Sequence, residues 1–432
     1  MMSILRLVAA DTDQERASGT RRVLLIGIVA VVFAFLAAWL LSPGGAGYGF
    51  SVPDAGSYFG AGELHRIEHY RSQSRLIAIG SLLLTFVVLA FLAWWRGRPV
   101  LWLLNRFESH PILGAGVVGI VISLILTIVD LPLAWLSFNL GRDIGLFTQT
   151  WTGWLGDQAL SALISAVIAG IGALIVMALW RKFRGYFWIP ASVLIGLYAL
   201  ITVWLWPVLV APLFNDFTPV PEGHVRSQVL DLADREGIDV GQVYLVDASK
   251  RSTAINAYVN GVGSTKRVVL YDNAIKDLND AEFSSLVAHE LGHVKSNDVY
   301  RGLAFALLVI PLGALFVQLA TVGLARRRED DLDGPGVIPA LALFATVAAL
   351  VLGVPGNVLS RNIEAHADRA DLQTTNDPQG LIGLQRELAR TNLADPDPPG
   401  AFQFLFGTHP STMQRIGAAV AWPENDPEGS GK

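Results

Sequence analysis

Seven stretches of the chain, Val23–Leu41, Leu76–Trp95, Ile112–Val129, Ala159–Trp180, Tyr186–Trp206, Gly302–Ala325 and Val337–Pro355, carry no Asp, Glu, Lys or Arg. At 1.5 Å of rise per helical residue, each is about long enough to cross the roughly 30 Å of hydrocarbon in a bilayer. Within lipid a backbone must satisfy its own hydrogen bonds, and a single segment does so only as an α-helix. The chain is therefore predicted to be a mainly α, integral-membrane protein with seven transmembrane helices. Composition agrees, with 52% apolar and only 16% charged residues, against roughly a quarter charged in soluble proteins. Several runs end in Trp and Arg, as at Trp94-Trp95-Arg96 and Trp180-Arg181-Lys182, which suits anchoring at the membrane interface. The first run follows a polar segment and lacks a small-residue cleavage site, so it reads as an anchor rather than a signal peptide.

The runs divide the chain. Residues 1–207 form a membrane region with five spans, 208–300 a polar insert, and 301–355 spans six and seven. A second polar region covers 356–422, and the tail 423–432, rich in Pro, Glu, Gly and Ser, is expected to be disordered. Within the insert the pattern predicts a helix near Glu222–Glu236 and a strand near Gln242–Val246. A hairpin follows, with arms near Ala254–Asn260 and Lys266–Tyr271 around a Gly-Val-Gly-Ser turn. There is no cysteine, hence no disulfide framework and no thiol chemistry. Without a basic patch or a glycine-rich phosphate loop, nucleic-acid and nucleotide binding have no footing.

Residues 289–293 read His-Glu-Leu-Gly-His. Four apart on a helix, His289 and His293 share one face and can hold one zinc ion, with Glu290 beside the metal as general base. The alternative is an ordinary amphipathic helix with surface His and Glu. The helix itself is well specified. Asn279 caps it with Glu282 three residues on, and Phe283, Leu286, Val287 and Leu291 give it a buried side. Gly292 weakens it by about 1 kcal/mol relative to Ala; it either admits close approach of another group or is simply tolerated.

A hydrolytic zinc centre needs a third protein ligand and an open position. Residues 360–368 read Ser-Arg-Asn-Ile-Glu-Ala-His-Ala-Asp. Glu364 and Asp368 share a helical face, so one can bind zinc while the other orients a ligand histidine. His366 is a rival ligand, but on a helix it points about 200° away from Glu364. His293 lies close before the sixth run and Glu364 close after the seventh, which puts the site at the membrane surface. Asp298 reads as either a partner of the site or a helix-end polar group, and Asp130 as interior or interfacial.

These motifs, in this order, resemble the CAAX prenyl protease type I family, integral-membrane gluzincin metallopeptidases. The likeness covers nearly the whole chain. It comprises the seven spans, HELGH before the sixth, SRNIEAHAD matching the family's SR-x-x-E-x-x-AD, APLFNDFTPVPEG at 211–223, NAY at 256–258 and HPSTMQR at 409–415. The resemblance implies seven helices around a water-filled chamber, roofed by a zincin-like catalytic domain with a small β-hairpin or sheet. It implies one zinc per chain held by His289, His293 and Glu364. Glu290 would activate water and carry its proton to the leaving amine. Asp368 matches a second acidic position often assigned as proton donor, whereas its spacing reads as an orienter of a ligand histidine. Asn256, Ala257 and Tyr258 would lie along the substrate, and His409 and Arg415 would approach the site, His409 stabilising the oxyanion.

The implied function is a membrane-embedded zinc metalloendopeptidase like the CAAX prenyl endopeptidases. Its partners would be a peptide or protein substrate, lipidated or membrane-bound, and membrane lipids. The alternatives are a quality-control protease for unprenylated hydrophobic peptides, whose relatives usually carry four spans, and a non-catalytic scaffold or transporter. A multi-pass plasma-membrane location is expected. With the N-terminus inside, the inner loops hold Arg96, Arg98, Arg106, Arg181, Lys182, Arg184, Arg326, Arg327 and Arg328, and the outer ones Arg66, Arg71, Arg75 and Arg142. The positive-inside rule then turns the catalytic side outward, against the cytosolic placement usual for eukaryotic members. Arg in excess of Lys and Ala/Gly/Val richness suggest a bacterial, GC-rich source.

Overall fold

The computed structural model describes residues 2–44, 51–95, 106–260, 266–328 and 331–422. The predicted turn at 261–264, Arg96, Arg98 and the tail 423–432 lie outside the described residues.

The membrane region contains α1 (Met2–Leu41), α2 (Ala61–Trp94), α3 (Pro111–Asp143), α4 (Trp151–Phe183) and α5 (Trp188–Leu205). The insert contains β1 (Phe217–Pro219), α6 (His224–Glu236), β2 (Gln242–Val246), β3 (Ala257–Asn260), β4 (Arg267–Tyr271), α7 (Asp272–Asp277) and α8 (Asp280–Lys295). Then come α9 (Asp298–Arg328), α10 (Ile338–Thr375), α11 (Pro378–Thr391), α12 (Gly400–Phe406) and α13 (Thr412–Val420).

Helices α1–α5, α9 and α10 are each long and apolar enough to cross a bilayer, and each carries one of the seven runs. Most of them outgrow their runs, three in ways that bear on the site and the chain's polar residues. α2 starts at Ala61 rather than Leu76, α3 continues past Val129 through Asp130 and Pro132, and α10 continues past Pro355 to Thr375. A run free of charge marks contact with lipid, whereas a helix continues wherever its polar side chains find protein partners. On the extra turns of α2, Arg71 Nη2 donates to the Asn392 carbonyl at 2.9 Å and Arg75 pairs with Asp395 at 2.5 Å. Asp130 remains within α3, its Oδ1 buried without a hydrogen-bond partner among the described residues.

In order, α2, α3, α4, α5, α9 and α10 pack as a closed ring, and α1 lies against α9 and α10. At one end of the ring the α9–α10 loop is tied to the α4–α5 turn. Trp180 Nε1 donates to the Leu332 carbonyl at 2.9 Å, and Gln318 both accepts from Trp188 N (2.8 Å) and donates to the Arg184 carbonyl (3.1 Å). Buried amide ends are thereby satisfied at a turn where water is scarce.

At the other end sits the catalytic layer. Its sheet has the order β1-β2-β4-β3, with β2 and β4 parallel and the outer pairs antiparallel. The predicted β2 and hairpin are present. β1 was not foreseen, since three residues ending in proline carry no alternation. Alternate residues divide between two faces: Val243, Ala257, Val268 and Leu270 join the core against α8, while Tyr244, Tyr258, Val269 and Tyr271 face away from it. Arg251 fastens this layer to the spans through Asp157 on α4, with contacts of 2.8 and 3.1 Å.

Candidate metal centre

α8 forms as its sequence predicts. Asn279 Oδ1 accepts from the backbone N–H of Ala281 and Glu282 (3.0 and 3.1 Å), and Glu282 Oε2 accepts from Asn279 N at 3.1 Å. Phe283, Leu286, Val287 and Leu291 are all buried, each worth about 1.5–3 kcal/mol relative to exposure. Burial of that side leaves the histidine face to meet α10.

The two helices meet at Gly292. A Cβ there would lie 2.9 Å from Ala370 Cβ and 3.4 Å from the Ala367 carbonyl oxygen. Close approach is therefore the reason for glycine. Gly292→Ala would regain about 1 kcal/mol of helix propensity, but overpacking of about 1–3 kcal/mol outweighs it. A lower unfolding temperature and weaker metal binding are the expected result, read by thermal unfolding and metal titration.

Across this contact His289 Nε2 lies 3.3 Å from Glu364 Oε2, and His293 Nε2 lies 3.6 Å from Glu364 Oε1. The two Nε2 atoms are 3.2 Å apart, and one ligand atom from each of the three residues lies within 4.8 Å of the others. The opposite ring nitrogens each face a carboxylate: His289 Nδ1 is 3.0 Å from Asp368 Oδ1, and His293 Nδ1 is 3.0 Å from Asp298 Oδ2. A ring whose Nδ1 hydrogen is held by its carboxylate leaves Nε2 free to offer a lone pair to a metal. Arg415 Nη2 also lies 3.3 Å from His289 Nδ1, and against its burial the Asp368 and Glu364 carboxylates push the His289 imidazole pKa up to about 10. Three candidate ligand atoms thus converge, and Glu364 Oε2 is buried without a hydrogen-bond partner among the described residues. Two imidazoles and one carboxylate suit a divalent cation such as zinc.

The carboxylates behind the histidines are held in turn. Arg415 Nε donates to Asp368 Oδ1 and Oδ2 at 3.1 and 2.9 Å. The Gln385 amide lies beside Arg415, and with its oxygen turned toward the guanidinium it would accept from Nε and Nη2 at 3.3 Å. Asp298 opens α9 and is buried. Asp298→Asn keeps the shape but weakens the His293 contact, so metal affinity should fall about 10–100-fold, measurable by competition with a chelator.

Other residues singled out in the sequence fall as follows. His409 Nε2 lies 3.4 Å from Glu364 Oε1, with its side chain 59% exposed on the open side of the site. Glu290 has no hydrogen-bond or ion-pair partner among the described residues, and burial raises its pKa. His366 is turned off the site, its Nδ1 3.1 Å from Ser296 Oγ. Asn256 Oδ1 accepts from Ala257 N at 2.9 Å, while the Tyr258 ring packs on the sheet face away from α8, where burial pushes its hydroxyl up to about 12. Gln385 was not legible: one Gln in an amphipathic helix gives no signal. Asp298 did leave one, an acid opening a helix five residues after His293.

A helical ring in the bilayer with such a centre at its mouth defines a membrane-embedded metalloprotease. Residues 219–423 match Peptidase family M48, and residues 57–216 match the CAAX prenyl protease N-terminal region of five membrane helices. The chain belongs to family M48, among its CAAX prenyl protease members. It is 35% identical over 314 residues to the uncharacterized metalloprotease YhfN of Bacillus subtilis, covering 71% of this chain and 73% of that protein. A CAAX prenyl protease 1 homolog of Caenorhabditis elegans is 28% identical over 372 residues, covering 75% and 80%. The crystal structure of S. mikatae Ste24p shares the fold with a TM-score of 0.72 at 21% identity, over 92% of this chain and 98% of that one.

Proposed function

We propose that His289, His293 and Glu364 hold one zinc ion per chain and that the protein hydrolyses hydrophobic peptides, lipidated or membrane-bound, at the membrane surface. The convergence of two histidine nitrogens and one carboxylate within 4.8 Å carries this reading. When bound, zinc would supply Lewis acidity toward the scissile carbonyl and toward water. Glu290, adjacent in sequence to His289 and made more basic by burial, takes the proton from the attacking water and returns it to the leaving amine. His409 approaches from the exposed side, where its Nε2 can donate to the developing oxyanion. Asp368 acts as orienter of His289 rather than proton donor, because Arg415 and His289 already engage it. The outer strand β3 offers an open edge on which a peptide can pair.

The catalytic side faces out of the cell membrane. Arg66 and Arg71, on that side, donate to the carbonyls of Ile144 and Asn392, whereas Arg181, Lys182, Arg184 and Arg326–Arg328 gather at the opposite helix ends. The test is metal content of detergent-purified protein together with hydrolysis of a quenched farnesylated CAAX peptide and its unlipidated twin. Zinc at about one per chain with cleavage of either peptide supports the reading, and preference between the twins identifies the substrate. Full cleavage after metal removal would overturn it.

A further inference from the structure

β3 bonds to β4 on one side and, among the described residues, pairs with no strand on the other. Its register, together with the bond from Tyr271 N to the Asn256 carbonyl at 3.1 Å, commits residues 256, 258 and 260 to β4. In an antiparallel pair the residues between them turn both N–H and C=O away. Residues 255, 257 and 259 therefore present their backbone groups to the open edge. The Ala257 N–H is met by the neighbouring Asn256 Oδ1. At Ile255 the Asn392 side chain behaves as the next residue of an added strand would. Its Oδ1 accepts from Ile255 N at 2.8 Å, and its Nδ2 donates to the Ile255 carbonyl at 3.0 Å.

Asn392 is firmly placed. It directly follows α11, and Arg71 of α2 donates to its carbonyl at 2.9 Å and also to that of Leu393. Leu393 is buried in the left-handed region at φ 50°, a conformation a leucine keeps only when its surroundings impose it. A membrane helix thus holds an amide against the end of the open edge.

We infer that Asn392 is a specificity-determining stop, which ends the edge at Ala257 and limits how far a peptide can extend past Ile255. The inference rests on the reading of β3 as the substrate-binding edge. For a peptide paired antiparallel to β3, the blocked side is its C-terminal side, because Ile255 precedes the strand. The expected substrate is then an extended peptide whose length on the C-terminal side of the paired segment is limited. Asn392 is a positioning residue and touches no reacting atom.

The test uses the full-length protein and two series of quenched peptides, lengthened stepwise on either the C-terminal or the N-terminal side of one scissile bond. Wild type should show a cutoff in the C-terminal series, with kcat/KM falling about tenfold past a set length, and none in the N-terminal series. Asn392→Ala should move the cutoff to longer peptides, and Asn392→Asp, which keeps the acceptor but loses the donor, should move it part of the way. Metal content and unfolding temperature show that each variant is folded. Val259→Pro removes an outward N–H where an edge strand tolerates proline, and should raise KM equally at all lengths. Unchanged KM in that variant would sink the β3 reading. Raised KM there with no C-terminal cutoff in wild type, or with an unmoved cutoff in Asn392→Ala, would overturn the stop alone. Asn392→Asp keeps the proposal testable where Asn392→Ala fails to fold.

Discussion

Glu290→Gln should retain metal at the wild-type level and lose peptide cleavage by at least about 10²–10⁴-fold, the usual contribution of a general base. The separation follows from position. The proposed ligand atoms belong to His289, His293 and Glu364, and the contacts behind the histidines to Asp368 and Asp298. Glu290 takes part in neither and has no partner among the described residues, so the amide changes no packing and no charge pair. Metal analysis and initial-rate kinetics on one preparation check both halves. Near-normal cleavage with metal bound would remove Glu290 from the chemistry.

Arg415→Met should behave in the opposite way and destabilise the catalytic layer. The arginine and Asp368 are both buried, and truncating one member of a buried, hydrogen-bonded pair costs about 3–5 kcal/mol. The loss propagates, since Asp368 orients His289. Metal affinity and unfolding temperature should fall together. Adding Asp368→Asn should recover part of the stability by removing the charge that Arg415 offsets, but not the affinity, because His289 then loses its carboxylate. Denaturation curves and metal titrations of both single variants and the double variant decide this. Additive destabilisation in the double variant would mean that the two residues act independently.

Much of this arrangement was legible in the sequence because strong local rules govern it. The seven runs located seven helices, since lipid leaves a chain no other conformation. The histidine pair and Asn279 with Glu282 defined α8, and Glu364 with Asp368 defined the face it meets. The helix limits were less legible. On α2, Arg66, Arg71 and Arg75 looked like outer-loop charges because their partners, Ile144, Asn392 and Asp395, are distant in the chain. Gly292 was ambiguous for the same reason, as its cause is a backbone on another helix. Gln385 and Asn392 are ordinary polar residues until the fold brings Arg415 and Ile255 to them. Local pattern reveals what a residue does for its own element, and only the fold reveals what it does for a distant one.

α10 carries Glu364 and Asp368 on the same uninterrupted rod that spans the membrane. Its 38 residues extend about 57 Å, nearly twice the hydrocarbon thickness. A tilt of about 5° around its middle would carry Glu364, about 11 Å from that middle, through roughly 1 Å, more than the roughly 0.2 Å of slack in a metal–ligand bond. Helices answer a thicker or thinner bilayer by tilting, so α10 is a lever whose fulcrum is set by the lipid. The Gly292 contact makes α8 move with that lever instead of against it. A change in membrane thickness would therefore carry the three candidate ligands along as one body.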